Sequence, residues 1–292
     1  MIVDAHTHVF PPEVASNRSA FREDDHWFGE LYASPRVAIA TANDLLSAME
    51  TAGVHTAIVA SFGWQSAATG RFCADYVLDK ARESKGRLAP LAYVQPSEGG
   101  EGVRRLSADL ARGFVGVGEL MPAGQRFDLD DHDLLRPFLH LAAEAGAPVL
   151  VHVSEPVGHL YPGKGEVSVR SMWRLATSFP RVRFVAAHWG GGLPFYELMP
   201  EVRAGLTNVW YDTAATSYLY DPRVFTIAVQ LVGADRILFA SDYPVLTYRR
   251  LLRSVERLDL EPDARAQIMG RNAAELFGIP LSSGTPRGGS KM

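Results

Sequence analysis

The sequence predicts an α/β protein built as a single-domain (β/α)8 TIM barrel, with an extra C-terminal helix and a long loop after strand 1. Three observations carry that prediction. Eight short segments rich in Val, Ile and Ala are apolar on both faces, as strands of a buried parallel sheet are. Longer amphipathic segments separate them, and this alternation implies helical crossovers between parallel strands. Polar residues capable of chemistry stand where the apolar runs end, on the face of such a barrel that carries active sites.

The strand-like segments are residues 2–5, 54–61, 88–94, 114–120, 148–153, 182–188, 209–213 and 236–241. Helix-like segments follow them at 41–52, 72–85, 102–112, 131–145, 168–178, 195–204, 222–232 and 248–258. Thr41 to Asp44, Asp131 and Asp221-Pro222 suit helix starts, and Gly53, Gly113, Gly146 and Gly233 stand where helices should stop. A ninth helix is expected over 262–277, ending at Gly278. Residues 9–40 form a long connection after strand 1, whose Phe10, Trp27, Phe28 and Tyr32 favour a lid over the active-site face. The barrel domain is expected over 1–281. The Gly- and Ser-rich stretch 282–292 reads as a disordered tail.

Of the 292 residues, 47% are hydrophobic, enough for a large core and too many for an intrinsically disordered chain. Lys and Arg number 29 against 33 Asp and Glu, so the net charge is −4 and leaves no basic footprint for nucleic acid. The lone cysteine, Cys73, excludes an internal disulfide and reads as a small core residue. The N-terminus has no basic leader, and no stretch approaches the ~20 apolar residues that cross a bilayer. The expectation is a soluble cytoplasmic protein acting on a small molecule, without nucleic-acid or membrane partners; a homodimer is the base-rate expectation.

The chemistry begins in Asp4-Ala5-His6-Thr7-His8. Residues two apart on a strand share a face, so His6 and His8 project together, and paired imidazoles suit a borderline divalent metal such as zinc. His152 ends the fifth strand-like segment, His188 the sixth, and Asp242 follows the eighth. Each alone reads as a hydrogen-bonded core histidine or a capping aspartate. Four histidines and an aspartate at one end of one barrel read instead as a metal site. Asp4, one layer deeper than His6, is expected to buttress a ligand histidine or bond backbone at the barrel base.

These motifs, with Ala187-His188-Trp189-Gly190-Gly191, Ser241-Asp242-Tyr243-Pro244 and Arg271-Asn272-Ala273-Ala274-Glu275-Leu276-Phe277, resemble the amidohydrolase superfamily of metal-dependent barrel enzymes. They are most similar to its amidohydrolase-related branch, which includes aminocarboxymuconate-semialdehyde-decarboxylase-like enzymes. The resemblance covers about residues 1–280. It implies His6, His8 and His152 as metal ligands and Asp242 as ligand or proton shuttle. His188 would be a ligand of a second metal or, with one metal, a side chain orienting the bound water. It also implies one or two divalent ions, zinc first and manganese second. Glu119, ending the fourth strand-like segment, resembles the bridging carboxylate of TatD-type members. A carboxylate that orients a ligand histidine is the equal alternative.

Trp64, Gln95, Met121, Glu155, Trp189 and Tyr218 fall just after strand-like segments and are candidates for substrate binding or for ordinary loop packing. The Gly190-Gly191-Gly192 run reads as a turn or as an anion-binding backbone. His26, His55, His132, His140 and His159 have no placement at a strand end, though His26 and His159 suit lid loops. No serine-nucleophile elbow, phosphate loop or dinucleotide fingerprint is present. The first expectation is therefore a hydrolase using metal-activated water on a small amide, ester or lactone. The alternative on the same scaffold is a non-oxidative decarboxylase of a small aromatic or muconate-type acid. A catalytically silent barrel ranks last.

Overall fold

The computed structural model describes residues 1–280. The tail expected over 282–292 and the domain end at 281 lie outside the described residues. Eight parallel strands run in sequence order: β1 (Val3–His8), β2 (Thr56–Ala60), β3 (Leu88–Ala92), β4 (Gly116–Leu120), β5 (Val149–Val151), β6 (Phe184–Ala186), β7 (Val209–Asp212) and β8 (Ile237–Leu238). Each pairs with the next. The amides of Ala5 and His8 close the ring by donating to the carbonyls of Phe239 (2.8 Å) and Tyr243 (2.7 Å). The result is one TIM-barrel domain. No helix among the described residues is long and apolar enough to cross a membrane.

Almost every strand position is buried, which is why the strands read as unbroken apolar runs. Inside the ring, Val3, Ala5, Ile58, Leu91, Leu150, Val185 and Leu238 pack with Phe277 and Leu276 of the final helix. That helix plugs the N-terminal end of the barrel and leaves the C-terminal end free for a site.

The differences from the expected elements have local causes. The eighth strand is two residues long because the next amides leave the ladder, Phe239 N for the Ile268 carbonyl and the two after it for side chains. Ala240 N donates to Thr213 Oγ1 (2.9 Å) and Ser241 N to Asp4 Oδ1 (3.0 Å). The helix expected over 195–204 is two, Leu193–Tyr196 and Pro200–Gly205. Pro200 has no amide to continue the first, and Met199 before it is held extended. The helix expected over 262–277 opens into a wide turn at Gln267–Arg271. There the Ile268 carbonyl accepts from Phe239 N (2.9 Å), and a side chain at Gly270 would stand 2.9 Å from the Met1 carbonyl oxygen.

The connection after β1 holds three short helices, Pro12–Ser16, Arg18–Asp24 and His26–Leu31. Phe28 stacks on Tyr32 at 4.4 Å and on Trp64 at 4.7 Å. The Arg18 guanidinium donates to the carbonyls of Tyr32, Ser34 and Val37 at 2.6–3.1 Å. Asp25 caps Phe28 N (2.9 Å) and accepts from Gln65 N (2.9 Å), which ties this segment to the loop after β2. It is a fixed wall over one side of the barrel mouth.

Candidate metal centre

His6 and His8, two apart on β1, share the inward face, because the β1–β2 register shifts between Asp4 and Thr7; Asp4, which pairs with Ala57, faces out of the ring, and all three are buried. His6 Nε2 and His8 Nε2 lie 3.0 Å apart. Glu119 reaches them from β4, its Oε2 at 3.5 Å from His6 Nε2 and 3.4 Å from His8 Nε2. Asp242 Oδ1 stands 3.9 Å and 3.6 Å from the same two nitrogens. Ligands about 2.0–2.2 Å from a common ion are roughly 3.0–3.5 Å from one another, so this donor set fits a divalent cation with small adjustments at Asp242. Glu119 Oε1 turns the other way. It lies 3.0 Å from His152 Nδ1 and 3.9 Å from His188 Nε2. His6, His8 and Glu119 thus make one potential metal-holding group, and Glu119, His152 and His188 make another.

Local backbone explains how Glu119 gets there. Gly118 has φ +128, and a β-carbon on it would lie 2.6 Å from the Leu150 carbonyl oxygen. Only glycine takes that conformation so close to β5, and the β4–β5 register shifts at this point. His188 (φ 57), Trp189 (φ 57), Ala215 (φ 54) and Asp242 (φ 61) are left-handed at the ends of β6, β7 and β8. Such residues cost ~1–3 kcal/mol each and gather at functional sites. The Gly190-Gly191-Gly192 run continues the left-handed turn. A β-carbon at Gly191 would stand 2.5 Å from the Ser154 carbonyl oxygen, so the run serves close packing.

The charges interlock. Burial opposes the Glu119 anion, yet the facing His6 and His152 hold its carboxyl well below the usual range. Burial likewise opposes a charged His6, and Glu119 and Asp212 overcome it, so its pKa rises well above the ordinary value. His152 is buried too, and the Glu119 hydrogen bond raises it. His188 moves down, first from burial and then from the neighbouring His152. Asp4 is pushed up to about 6 by burial, against hydrogen bonds from Ser241 and His6 N. It does bond backbone, as expected, but it faces out of the ring toward Tyr248 and does not share the layer below His6.

Asp212 was not singled out in the sequence. Its Oδ2 meets His6 Nδ1 at 2.8 Å, and its Oδ1 accepts from His188 N at 2.8 Å. It fixes the tautomer that leaves His6 Nε2 free to face the cluster. The signal was present, since Asp212 ends the apolar run of β7 as His152 and His188 end theirs.

A cavity of about 280 Å³ opens above the cluster, bounded by His8, Glu119, His152, His188 and Asp242 below and by the loops above. Larger clefts, such as one lined by Met1, Ile2 and Met269, lie at the N-terminal end, away from the cluster. Of the side chains expected near substrate, Met121 and Tyr218 line the cavity. Trp64 is wholly buried in the aromatic cluster of the wall, and Trp189 is buried with its indole N–H on Thr216 Oγ1 (2.9 Å). Gln95 donates to the Gln65 carbonyl (2.8 Å), and Glu155 accepts from the Tyr161 hydroxyl (2.9 Å). None of these four lines the cavity. His159, Tyr32 and Phe62 do. His26 lies in the wall, His55 accepts from Ile2 N below the barrel, and His132 and His140 pack near Phe179. Cys73 is buried.

No curated protein matches this chain in sequence. Solved structures match its fold. A 5-carboxyvanillate decarboxylase from Sphingomonas paucimobilis has a TM-score of 0.78 at 18% identity, over 96% of this chain and 99% of that one. A 2,6-dihydroxybenzoate decarboxylase from Rhizobium has 0.73 at 18%, over 95% and 98%. A dihydroxybenzoic acid decarboxylase from Polaromonas sp. JS666, solved with manganese and the inhibitor 2-nitroresorcinol, has 0.73 at 18%, over 95% and 96%. These findings correct the expectation of hydrolysis, because the reactions named for these barrels are decarboxylations. The misreading has a physical source: the strand-end motifs specify a metal-holding cluster, and one cluster serves either reaction. The amidohydrolase family model matches residues 3–279, nearly the whole described barrel, and the chain belongs to that family.

Proposed function

We propose that this protein is a metal-dependent non-oxidative decarboxylase of a small aromatic carboxylic acid. The observation that carries this reading is the placement of the donor cluster at the closed end of a narrow cavity, under flat apolar and phenolic side chains. The likeness of fold to aromatic-acid decarboxylases supports it. The donor set of imidazoles and carboxylates suits manganese as well as zinc. We assign a single ion to His6 Nε2, His8 Nε2, Glu119 Oε2 and Asp242. The hydrogen bond between Glu119 Oε1 and His152 Nδ1 favours an orienting role for that half of the carboxylate over a bridge to a second ion.

A divalent ion bound there would supply positive charge for a substrate carboxylate and an adjacent oxygen. The chain does the rest. The wall of Tyr32, Phe62 and Met121 holds the ring and excludes water. His188, whose ring its surroundings keep neutral, faces the cavity floor and orients the bound acid. Asp242 stands at the cavity's edge with Oδ1 toward the donor cluster, which leaves Oδ2 to pass a proton from solvent to the ring carbon as the carbon–carbon bond to carbon dioxide breaks. Solvent then returns the proton to Asp242.

The test is carbon dioxide release from a panel of ortho-hydroxybenzoates by manganese- or zinc-replete protein. Release that stops with chelator and returns with metal supports the reading; metal-replete protein inert toward the whole panel sinks it.

A further inference from the structure

The cavity wall has a charge inventory that narrows the substrate. Its anions are Glu119, which is shared by the two potential metal-holding groups, and Asp242, whose Oδ1 stands 3.6 Å from His8 Nε2. Among the described residues no lysine or arginine lines it. Cations of the surrounding loops are engaged by other groups. The Arg18 guanidinium is occupied by three backbone carbonyls. The Lys164 ammonium donates to the carbonyls of Val157 (2.7 Å) and His159 (3.1 Å). Arg250 sits 5.6 Å from the Tyr218 ring centroid and is not part of the wall. Away from the cluster the wall includes Leu31, Phe62, Met121, Leu219 and Val245, with hydrogen-bonding groups from Tyr32, His159, Tyr161 and Tyr218.

We infer that the site accepts acids carrying one carboxylate and rejects those carrying two, an inference that rests on the decarboxylase reading. One carboxylate has a partner in the cation at the cluster. A second, fixed on the far side of the same ring, would face apolar and phenolic side chains with His159 as the one basic group and no lysine or arginine as counterion, and an unpaired carboxylate taken from water is among the most costly groups to desolvate. Neutral hydroxyl or methoxy substituents carry no such cost, and phenolic side chains can hydrogen-bond them. The two kinds of named fold relative differ on this point. 5-Carboxyvanillate bears two carboxylates and 2,6-dihydroxybenzoate one, and the wall described here fits the second kind.

The test is calorimetric binding to metal-loaded protein at pH 8, above the range in which an ordinary imidazole is charged. The probes are 2-hydroxybenzoate and 4-hydroxyisophthalate, which differ only by a second carboxylate para to the hydroxyl, together with 2,6-dihydroxybenzoate and 5-carboxyvanillate. The monocarboxylates are expected to bind at least about 100-fold tighter than the dicarboxylates. A preference below about tenfold, equal binding, or tighter binding of the dicarboxylates overturns the inference. Carbon dioxide release from the same four acids separates this result from the parent reading. Selective binding without release retains the charge rule and removes decarboxylation. Release that favours the dicarboxylates removes the charge rule and retains decarboxylation.

Discussion

At the scale of single residues, the site is a set of buried groups whose protonation each depends on a neighbour. Asp242→Asn keeps the shape and an oxygen but carries no transferable acid proton. Decarboxylation should fall ~10²–10⁴-fold, read as kcat, while His6, His8 and Glu119 still retain metal. Asp212→Asn should act through His6, whose Nδ1 would lose its carboxylate partner. Metal affinity is expected to drop ~10–100-fold, measured by competition with a chromophoric chelator. Asp4 gives a prediction in pH. Its carboxyl titrates near 6 in the fold against an ordinary 3.8, so the folded state binds the proton more readily. The stability this contributes is full below 3.8 and is lost as pH rises through about 6, in total ~3 kcal/mol. Asp4→Asn keeps Oδ1 for the amides of His6 and Ser241 and can donate to the Ser241 hydroxyl. In chelator-treated protein, denaturant unfolding should show this variant gaining on the parent by up to that amount between about pH 4 and pH 7. A constant difference across that range would refute the assignment.

At the scale of elements, what was legible depended on the length over which a pattern could repeat. His6, His8, His152, His188 and Asp242 could be placed because each follows an apolar run, and alternation then fixes the face. Glu119 could be placed on β4, but its aim between two histidine pairs depends on Gly118 and a register shift, which no side-chain pattern encodes. Helices of five to seven residues after β1 span too few turns for a helical period to show. Trp64 and Trp189 could not be assigned because an aromatic residue after a strand packs inward or outward according to what covers it. Trp64 is covered by Phe28, and Trp189 packs edge-on to Phe225. The same wall yields a prediction. Arg18→Met preserves the aliphatic stem but leaves three carbonyls without their donor. Cleavage by a dilute protease within residues 9–40 should quicken, and KM should rise several-fold with kcat nearly unchanged. Unaltered cleavage and KM would mean that the aromatic packing alone holds the wall.

For the whole molecule, the net charge of −4 is a local fact more than a global one. Glu119, Asp212 and Asp242 are buried at one end of one barrel, where the facing partners are histidines, and Asp4 is buried beside them on Ser241 and backbone amides. Exposed acids and bases elsewhere pair with one another, as Arg112 does with Asp75 and Asp109 and Arg271 with Asp263. The barrel therefore concentrates its negative potential at the centre, with strained backbone at the ends of β6, β7 and β8 held against it. A bound divalent cation relieves that repulsion only in the folded state, because unfolding scatters donors that come from different strands and strand ends. Its binding is thus folding free energy, worth ~2.7 kcal/mol at a free metal concentration about one hundred times Kd. For a domain of this size that raises Tm by ~5–10 °C. Calorimetric scans with manganese and with excess chelator should differ by that amount, with one ion per chain by elemental analysis. Asp212→Asn should narrow the gap at a fixed metal concentration, since its effect is on affinity. Coincident scans in the parent protein would show that the cluster holds no stabilising ion, and the assignment of His6, His8, Glu119 and Asp242 as its ligands would fall with it.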